Sequence, residues 1–229
     1  MNGIGIQWII FIGVMLLSWL VQSNLQRKFK KYSKIRSTGG LTGAEIATKM
    51  LHDNGIYDVK VTHVSGQLTD HYNPATKTVN LSDGVYSSNS VMAAAVAAHE
   101  CGHAVQHARA YAPLSLRSSL VPVVSFASKW MTWVILAGIF LLSTFPQLLL
   151  LGILMYALTT LFSLVTLPVE INASERALSW LRNSGMTSGS HQAYAQDALK
   201  AAAYTYVVAA IGSLATLMYY IMIYLNNRD

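Results

Sequence analysis

The chain has 229 residues, of which 53% are hydrophobic and only 11% charged, and its formal net charge is +6. A mean hydropathy of +0.38 is unusual for a soluble domain of this length and indicates a membrane protein. The single cysteine, Cys101, excludes an internal disulfide and is typical of a protein in a reducing compartment.

Four apolar segments are long enough to cross a bilayer. Residues 4–22 are uncharged and no small-residue cleavage site follows them, so they predict an anchor helix rather than a cleaved signal peptide. Residues 118–167 are too long for one span and predict a helical hairpin, with one helix ending near Phe145 and the next running over 147–167. Residues 201–225 form the fourth predicted span.

Basic residues predict the orientation of these spans. A cluster of lysines and arginines follows the first span between residues 27 and 36, and such clusters stay in the cytoplasm. The segments 23–117 and 168–200 are therefore predicted to be cytoplasmic, whereas Arg228 falls on the opposite side. Anionic lipid headgroups account for the basic surplus, so we expect the lipid bilayer and no nucleic acid as a partner.

The first cytoplasmic segment predicts a small folded lobe. An amphipathic helix should begin after Thr42, a good capping residue, and stop at Gly55. Residues 56–64 and 77–82 predict two strands, with a turn at Asn73 between them. A free strand edge just before the next helix would let an extended peptide bind by backbone hydrogen bonds, although an ordinary hairpin capping the lobe fits the pattern equally well.

That next helix contains the most informative motif, His-Glu-Cys-Gly-His at residues 99–103. The surrounding run is rich in alanine and has no proline, which favours a helix, so His99 and His103 project from one face and can bind one zinc ion. Glu100 lies beside them and can accept a proton from an attacking water molecule. Cys101 points away from the histidine face, so we expect it to pack in the interior rather than bind metal.

A third ligand is needed, and the motif itself does not supply it. His107 lies about 12 Å from His99 along a straight helix, too far for both to bind one zinc ion together with His103. A site completed by a third histidine on the same segment needs a glycine and a histidine where this chain has Gln106 and Arg109. That subclass of zinc site is excluded.

A carboxylate from a second helix remains as the solution. Glu170 follows Pro168, which suits the first turn of a new helix directly after the third span, and the small Ala173 would allow close approach to the histidine helix. Glu175 is the competing ligand. The other candidates, which no spacing supports, are Asp70, His71 and Asp83.

Several segments together resemble the YugP-like family of bacterial membrane zinc metallopeptidases, and the resemblance spans nearly the whole chain. They read LTDHYNP, KTVNLS, VAAHECGHAVQH, LPVEINASERAL and AAAYTYVVAA. More distantly the chain is similar to HtpX- and Ste24-type membrane proteases, in which a glutamate in an E-x-x-A-D context joins the two histidines. Glu170 and Ala173 match that pattern, but Ser174 stands where the distant group has aspartate. The candidates for orienting a ligand histidine are Ser174, Asn172 and Asp197.

The resemblance implies an integral membrane peptidase of the bacterial cell membrane, with one catalytic zinc ion and a site that faces the cytoplasm. The histidine motif and the glutamate of the second helix together predict a zinc ion bound by His99, His103 and Glu170. Glu100 is then the predicted general base that activates water for peptide hydrolysis. The oxyanion donor is not identified, and the candidates are His191, Tyr204 and His71. We expect protein or peptide substrates that are themselves associated with the membrane.

The predicted fold is mostly α, with about four transmembrane helices and a small α+β cytoplasmic lobe of the zincin-like, gluzincin type. Its predicted parts are an anchor (1–22), a lobe with the edge strand and the motif helix (23–117), a hairpin (118–167), a cytoplasmic helix with the third ligand (168–200) and a last span (201–229). The alternative function is a catalytically inactive, zinc-stabilised membrane scaffold or protease regulator. The retained Glu100 disfavours that alternative, since a structural site needs no base.

Overall fold

The structure, a computed structural model, describes residues 3–226, with side chains from residue 8 onward. These residues form seven helices and a three-stranded sheet, and most of them are helical. The elements in chain order are α1 (Gly3–Tyr32), α2 (Gly43–Asp53), β1 (Lys60–Val64), β2 (His71–Asn73), β3 (Thr78–Ser82), α3 (Asp83–Tyr86), α4 (Val91–Ala108), α5 (Ala112–Phe140), α6 (Pro146–Asn183) and α7 (Gly189–Asn226).

Four of the described helices, α1, α5, α6 and α7, are long and apolar enough to cross a membrane. The prediction of a mostly α protein with four spans and a small α+β lobe is therefore confirmed. The first two residues of the predicted anchor lie outside the described residues. So does Arg228, the basic residue predicted on the opposite side.

Contacts divide the chain into two compact units. One unit contains Ser115–Leu167 together with the described residues of Met1–Leu20 and Thr205–Asp229, and thus most of the apolar helical chain. The other contains Val21–Leu114 and Pro168–Tyr204, and thus the sheet, the motif helix and Glu170. All residues of the candidate site belong to this second unit, which we call the lobe.

The core of the lobe forms where α2 and α4 pack on one face of the sheet. Thr42 caps α2 as predicted, because its hydroxyl accepts from the Glu45 N–H while the Glu45 carboxylate accepts from the Thr42 N–H. Gly55 follows the helix with a φ of +74°, a left-handed conformation that glycine adopts without strain. Alternation along β3 buries Val79 and Leu81 against the helices.

The sheet differs from the predicted hairpin. Its strand order is β1-β3-β2, with β1 parallel and β2 antiparallel to β3. The strand just before the motif helix is therefore central rather than an edge, which corrects the prediction of a free edge at 77–82. The edge next to α4 is β2, where the sequence predicted no strand, because three residues carry too little alternation to signal one.

The helices around the predicted hairpin also differ from expectation. α5 ends at Phe140 rather than near Phe145, because residues 141–145 form a turn in which Phe145 N–H donates to Leu141 C=O. No new helix begins at Pro168. Instead α6 continues through it to Asn183, so the segment 168–200 is the end of α6, a turn and the start of α7.

Packing explains why α6 survives its internal proline. Pro168 removes one backbone hydrogen bond, but the turns that follow are fixed by burial of Val169, Ala173, Ala177 and Leu181, none of which is measurably exposed. Tertiary burial here outweighs the local tendency of proline to begin or end a helix.

Candidate metal centre

The motif helix α4 is capped at its N-terminus and mostly buried in the lobe. The Ser90 hydroxyl caps its first turn by accepting from the Ala93 N–H, 3.1 Å away. Small alanine side chains then let it pack closely on every side, and most of the helix is buried. The helix thus carries His99, Glu100 and His103 on a fixed backbone.

Three side chains converge beside this helix. Glu170 Oε2 lies 3.2 Å from His99 Nε2 and 3.6 Å from His103 Nε2, and each of the three residues offers a ligand atom within 4.8 Å of the others. Ligand atoms of a tetrahedral zinc site with bonds of about 2 Å lie roughly 3.4 Å apart. The three residues therefore fit one zinc ion, and two imidazoles with one carboxylate are a donor set found in catalytic zinc sites.

The close approach of α4 and α6 depends on small residues at their crossing. A Cβ atom on Gly102 would lie 2.6 Å from the Ala173 carbonyl oxygen, so only glycine fits at this position of the motif. Ala173 itself is fully buried. The expectation that Ala173 lets the Glu170 helix approach the histidine helix agrees with this packing.

The second ring nitrogen of each histidine has a partner. His99 Nδ1 lies 3.1 Å from the Ser174 hydroxyl, and His103 Nδ1 lies 3.0 Å from Gln106 Oε1. An N–H on Nδ1 that donates to these oxygens leaves Nε2 of each ring as the metal-binding atom. Ser174, which replaces the aspartate of the distant families, thus occupies an orienting position.

Gln106 connects both ligand helices. It is fully buried, and its amide nitrogen donates to Val169 C=O at 2.8 Å and to Asn172 Oδ1 at 3.1 Å. Arg176 in turn donates to Asn172 Oδ1 at 2.7 Å. Because the amide nitrogen is committed to two acceptors, the amide oxygen must face His103. Sequence reasoning treated Gln106 only as a missing glycine and did not find this role.

Charge coupling holds Glu170 in its ionised form. Burial alone would raise the pKa of the Glu170 carboxyl, but hydrogen bonds with His103 and His99 outweigh burial and keep that pKa far below its ordinary value. Burial would lower the pKa of His103, yet its hydrogen bond with Glu170 and the charge of Glu100 raise it. A buried carboxylate of this kind is prepared to bind a cation.

Glu100 is held by the edge strand. Its Oε2 accepts a 3.0 Å hydrogen bond from the Tyr72 N–H of β2, and the residue is only 8% exposed. The Tyr72 hydroxyl lies 2.8 Å from His107 Nδ1, so His107 contacts the strand rather than the ligand cluster. Its exclusion as a third ligand agrees with this contact.

The other sequence candidates lie in different surroundings. Cys101 is buried with its Sγ 3.5 Å from Ala47 C=O, and burial raises the pKa of its thiol well above the ordinary value, so it is a packing residue as expected. Glu175 is exposed and lies in a separate surface cleft with Arg109 and Arg176. The cluster that could hold a metal contains Glu170 and not Glu175.

The remaining candidate ligands, orienting residues and oxyanion donors contact groups outside the metal cluster. Asp70 accepts from the Ser82 N–H and hydroxyl, and Asp83 pairs with His63. His71 bonds to Thr69 C=O and Asn80, and His191 to the Thr38 hydroxyl. Asp197 binds Lys28 and Tyr32, which removes it as an orienting partner of a ligand histidine. Tyr204 is 46% exposed, and the Lys200 ammonium lies over its ring.

Comparison with known proteins agrees with this geometry. Residues 7–225 match the model of a family described as "putative neutral zinc metallopeptidase", and the match covers nearly the whole chain. The chain belongs to this family. It is also 44% identical over 218 residues to the "putative membrane protease YugP" of Bacillus subtilis strain 168, across 95% of this chain and 96% of that protein. No solved structure matches the chain.

Membership in the zinc metallopeptidase family confirms the resemblance given by the sequence motifs. Because the family is one of zinc metallopeptidases, zinc is the metal that the cluster of His99, His103 and Glu170 is expected to bind. When bound there, a zinc ion would lower the pKa of a water molecule and polarise a substrate carbonyl.

Proposed function

We propose that this chain is a membrane-embedded zinc metalloendopeptidase of the gluzincin type. His99, His103 and Glu170 would bind the single zinc ion, and Glu100 would act as the general base. The observation that carries the proposal is the convergence of three ligand atoms beside Glu100, whose carboxylate is itself held in place by a backbone N–H. A purely structural zinc site would need the cluster but not the positioned base.

The residues divide the chemistry of peptide hydrolysis between them. The Tyr72 N–H occupies one lone pair of the Glu100 carboxylate and fixes its orientation, so the other oxygen is the one that takes the proton from the attacking water. Glu100 would then pass that proton to the leaving amine. Ser174 and Gln106 would keep both imidazoles in the metal-binding tautomer throughout.

The edge strand β2 is the natural place for substrate to bind. It has β3 on one side only, and its Tyr72 N–H points to Glu100 on α4. An extended peptide that adds beside β2 would place its backbone next to the base. Because the Tyr72 N–H is committed to Glu100, the peptide would pair through the carbonyl groups of the strand. The strand next to α4, rather than the central strand β3, would then recognise the peptide.

We further propose that the site faces the cytoplasm near the headgroups and acts on membrane proteins or their juxtamembrane segments. Glu170 lies three residues beyond Leu167, roughly 4.5 Å along the axis of the same helix that contains the apolar span 147–167. The basic residues after the first span support a cytoplasmic orientation.

The test of the enzymatic proposal is the variant Glu100→Gln in the full-length protein. It should retain zinc, because Glu100 is not a ligand, yet lose cleavage of a casein-type substrate by at least about a hundredfold, the usual contribution of a general base. Glu175→Gln is the matched control and should retain both zinc and activity. Full activity of Glu100→Gln, or chelator-insensitive cleavage by the unaltered protein, would overturn the assignment.

A wild-type protein that binds zinc but cleaves nothing would instead support the inactive scaffold. The substrate class is tested separately by comparing one peptide in soluble form and joined to a transmembrane anchor. We expect faster cleavage of the anchored form in reconstituted membranes, and equal rates would contradict the membrane-substrate proposal.

A further inference from the structure

One cavity of the lobe has no residue of the metal centre in its lining. It has a volume of about 610 Å³ and is formed by the last turns of α1 and by the loop between β1 and β2. Its lining includes Phe29, Lys30, Ser33, Lys34, Gln67 and Leu68. None of its lining residues is acidic, so the cavity is basic, and it has an apolar component from Phe29 and Leu68.

Two lysines give the cavity an uncompensated positive charge. Lys30 and Lys34 are four residues apart, so they lie on one face of the chain at the end of α1. Neither forms a salt bridge with any residue that the structure describes, whereas nearby Lys28 is paired with Asp197 at 2.7 Å. The cavity therefore attracts an anion that the lobe does not itself supply.

A hydroxyl group between the lysines lacks a partner. Ser33 lines the cavity, and its Oγ is buried without a hydrogen-bond partner among the described residues. Leaving a buried hydroxyl unpaired is unfavourable, and a serine hydroxyl reorients by rotation about a single bond. After rotation of the Ser33 side chain towards the cavity, an oxygen-rich anion there would give this donor an acceptor.

The position of the cavity along α1 indicates where such an anion comes from. Its first lining residue, Gln26, is four residues beyond Gln22, the end of the apolar segment, or about 6 Å along the helix axis. The headgroup region on each side of the hydrocarbon core is of similar thickness, roughly 5–8 Å. Leu68, a leucine that is 41% exposed on the loop, adds an apolar surface at the same cavity.

We infer that this cavity binds the headgroup of an anionic phospholipid from the leaflet in which α1 ends. Lys30 and Lys34 contact the phosphate, Ser33 donates to one of its oxygens, and Phe29 with Leu68 packs against the glycerol and the first acyl carbons. A zwitterionic headgroup fits less well, because its ammonium group would meet two lysines. The inference is independent of the proposed peptidase function.

The test measures lipid binding by the full-length protein in detergent, with phosphatidylglycerol and phosphatidylcholine as probes and retained lipid counted by native mass spectrometry. The pocket variant is Lys30→Gln with Lys34→Gln. The matched control is Arg27→Gln with Lys31→Gln, which removes the same charge from the same helix end without touching the cavity lining. Circular dichroism and zinc content establish that both variants are folded.

We expect the unaltered protein to prefer phosphatidylglycerol, and the pocket variant to bind it about 25-fold more weakly, at about fivefold for each lysine near an anionic surface. The control variant should lose less than about fivefold in total. Equal losses in both variants would show diffuse attraction only and overturn the inference. Equal binding of the two lipids, or displacement of the lipid by soluble glycerol phosphate at a similar concentration, would also overturn it.

Discussion

At the scale of single residues, the metal centre depends on side chains that the zinc would never touch. A histidine has two ring nitrogens, and the hydrogen bond at one decides whether the other can bind metal. Gln106 performs this task for His103 from the interior, with its own amide fixed by Val169 and Asn172. Its position three residues after His103 makes the contact local, on the same helix.

The first prediction concerns this contact. Gln106→Leu keeps a buried side chain of similar size but removes the acceptor from His103 Nδ1, so zinc affinity should fall by about 10–100-fold, the usual effect of losing an orienting partner. The measurement is competition for zinc with a chromophoric chelator. Gln192→Leu is the control, because Gln192 also bonds within the lobe, to Leu178 C=O, but touches no ligand. Equal zinc affinity in both variants would contradict the role given to Gln106.

The residues of the candidate metal centre could be predicted from the sequence to unequal degrees. His99, Glu100 and His103 follow from one spacing on one helix, and Glu170 follows from its place after a span. Gln106 could have been found, since it lies one turn after His103 on the ligand face. The role of Gln106 was missed because an amide side chain is not a zinc ligand, so a motif search treats it only as a mismatch.

At the scale of elements, local signals predicted α2 and its cap but not the course of α6 or the order of the sheet. The cap of α2 is a contact between residues three apart, so sequence contains all of it. Pro168 instead lies in a helix whose later turns are fixed by partners far along the chain. Strand order likewise depends on the pairing of β1 with β3, whose partner residues lie eighteen positions apart in the sequence. No local pattern indicates such a pairing.

The second prediction concerns the crossing of α4 and α6. Glycine to alanine in a helix ordinarily stabilises by about 1 kcal/mol, but in Gly102→Ala the new methyl would meet the Ala173 carbonyl oxygen at 2.6 Å. Overpacking of this kind costs about 1–3 kcal/mol. We therefore expect a lower melting temperature and less bound zinc, because the two ligand helices must move apart.

The control for this substitution is Gly13→Ala, also in a helix, where a Cβ would meet nothing within 4 Å. It should leave the melting temperature and zinc content unchanged or slightly raised. A Gly102→Ala protein that melts like the Gly13→Ala protein and binds zinc normally would show that the crossing is looser than the structure indicates.

At the scale of the whole molecule, the metal centre joins two stretches of chain that the hairpin separates in sequence. His99 and His103 precede Ser115–Leu167, Glu170 follows it, and all three lie in the lobe. Binding of one ion to residues so far apart would stabilise the folded lobe, because the unfolded chain offers no assembled site. Zinc removal should therefore lower the stability of the lobe, as well as abolish the proposed peptidase activity.

The last prediction is the pH dependence of that stabilisation. Without metal, the raised pKa of His103 contributes stability that is present below its ordinary value of 6.5 and is lost as the pH rises through the folded value. The lowered pKa of Glu170 contributes stability that is present above its ordinary value of 4.5 and is lost as the pH falls through the folded value. The zinc-free protein should thus be most stable between about pH 4.5 and 6.5.

Zinc binding should also depend on pH. Zinc binds only unprotonated imidazoles, so it must displace the proton that the Glu170 carboxylate stabilises on His103. The gain in melting temperature on adding zinc to chelator-treated protein should grow from pH 6 to pH 8, and a gain that is constant or larger in acid would contradict this coupling.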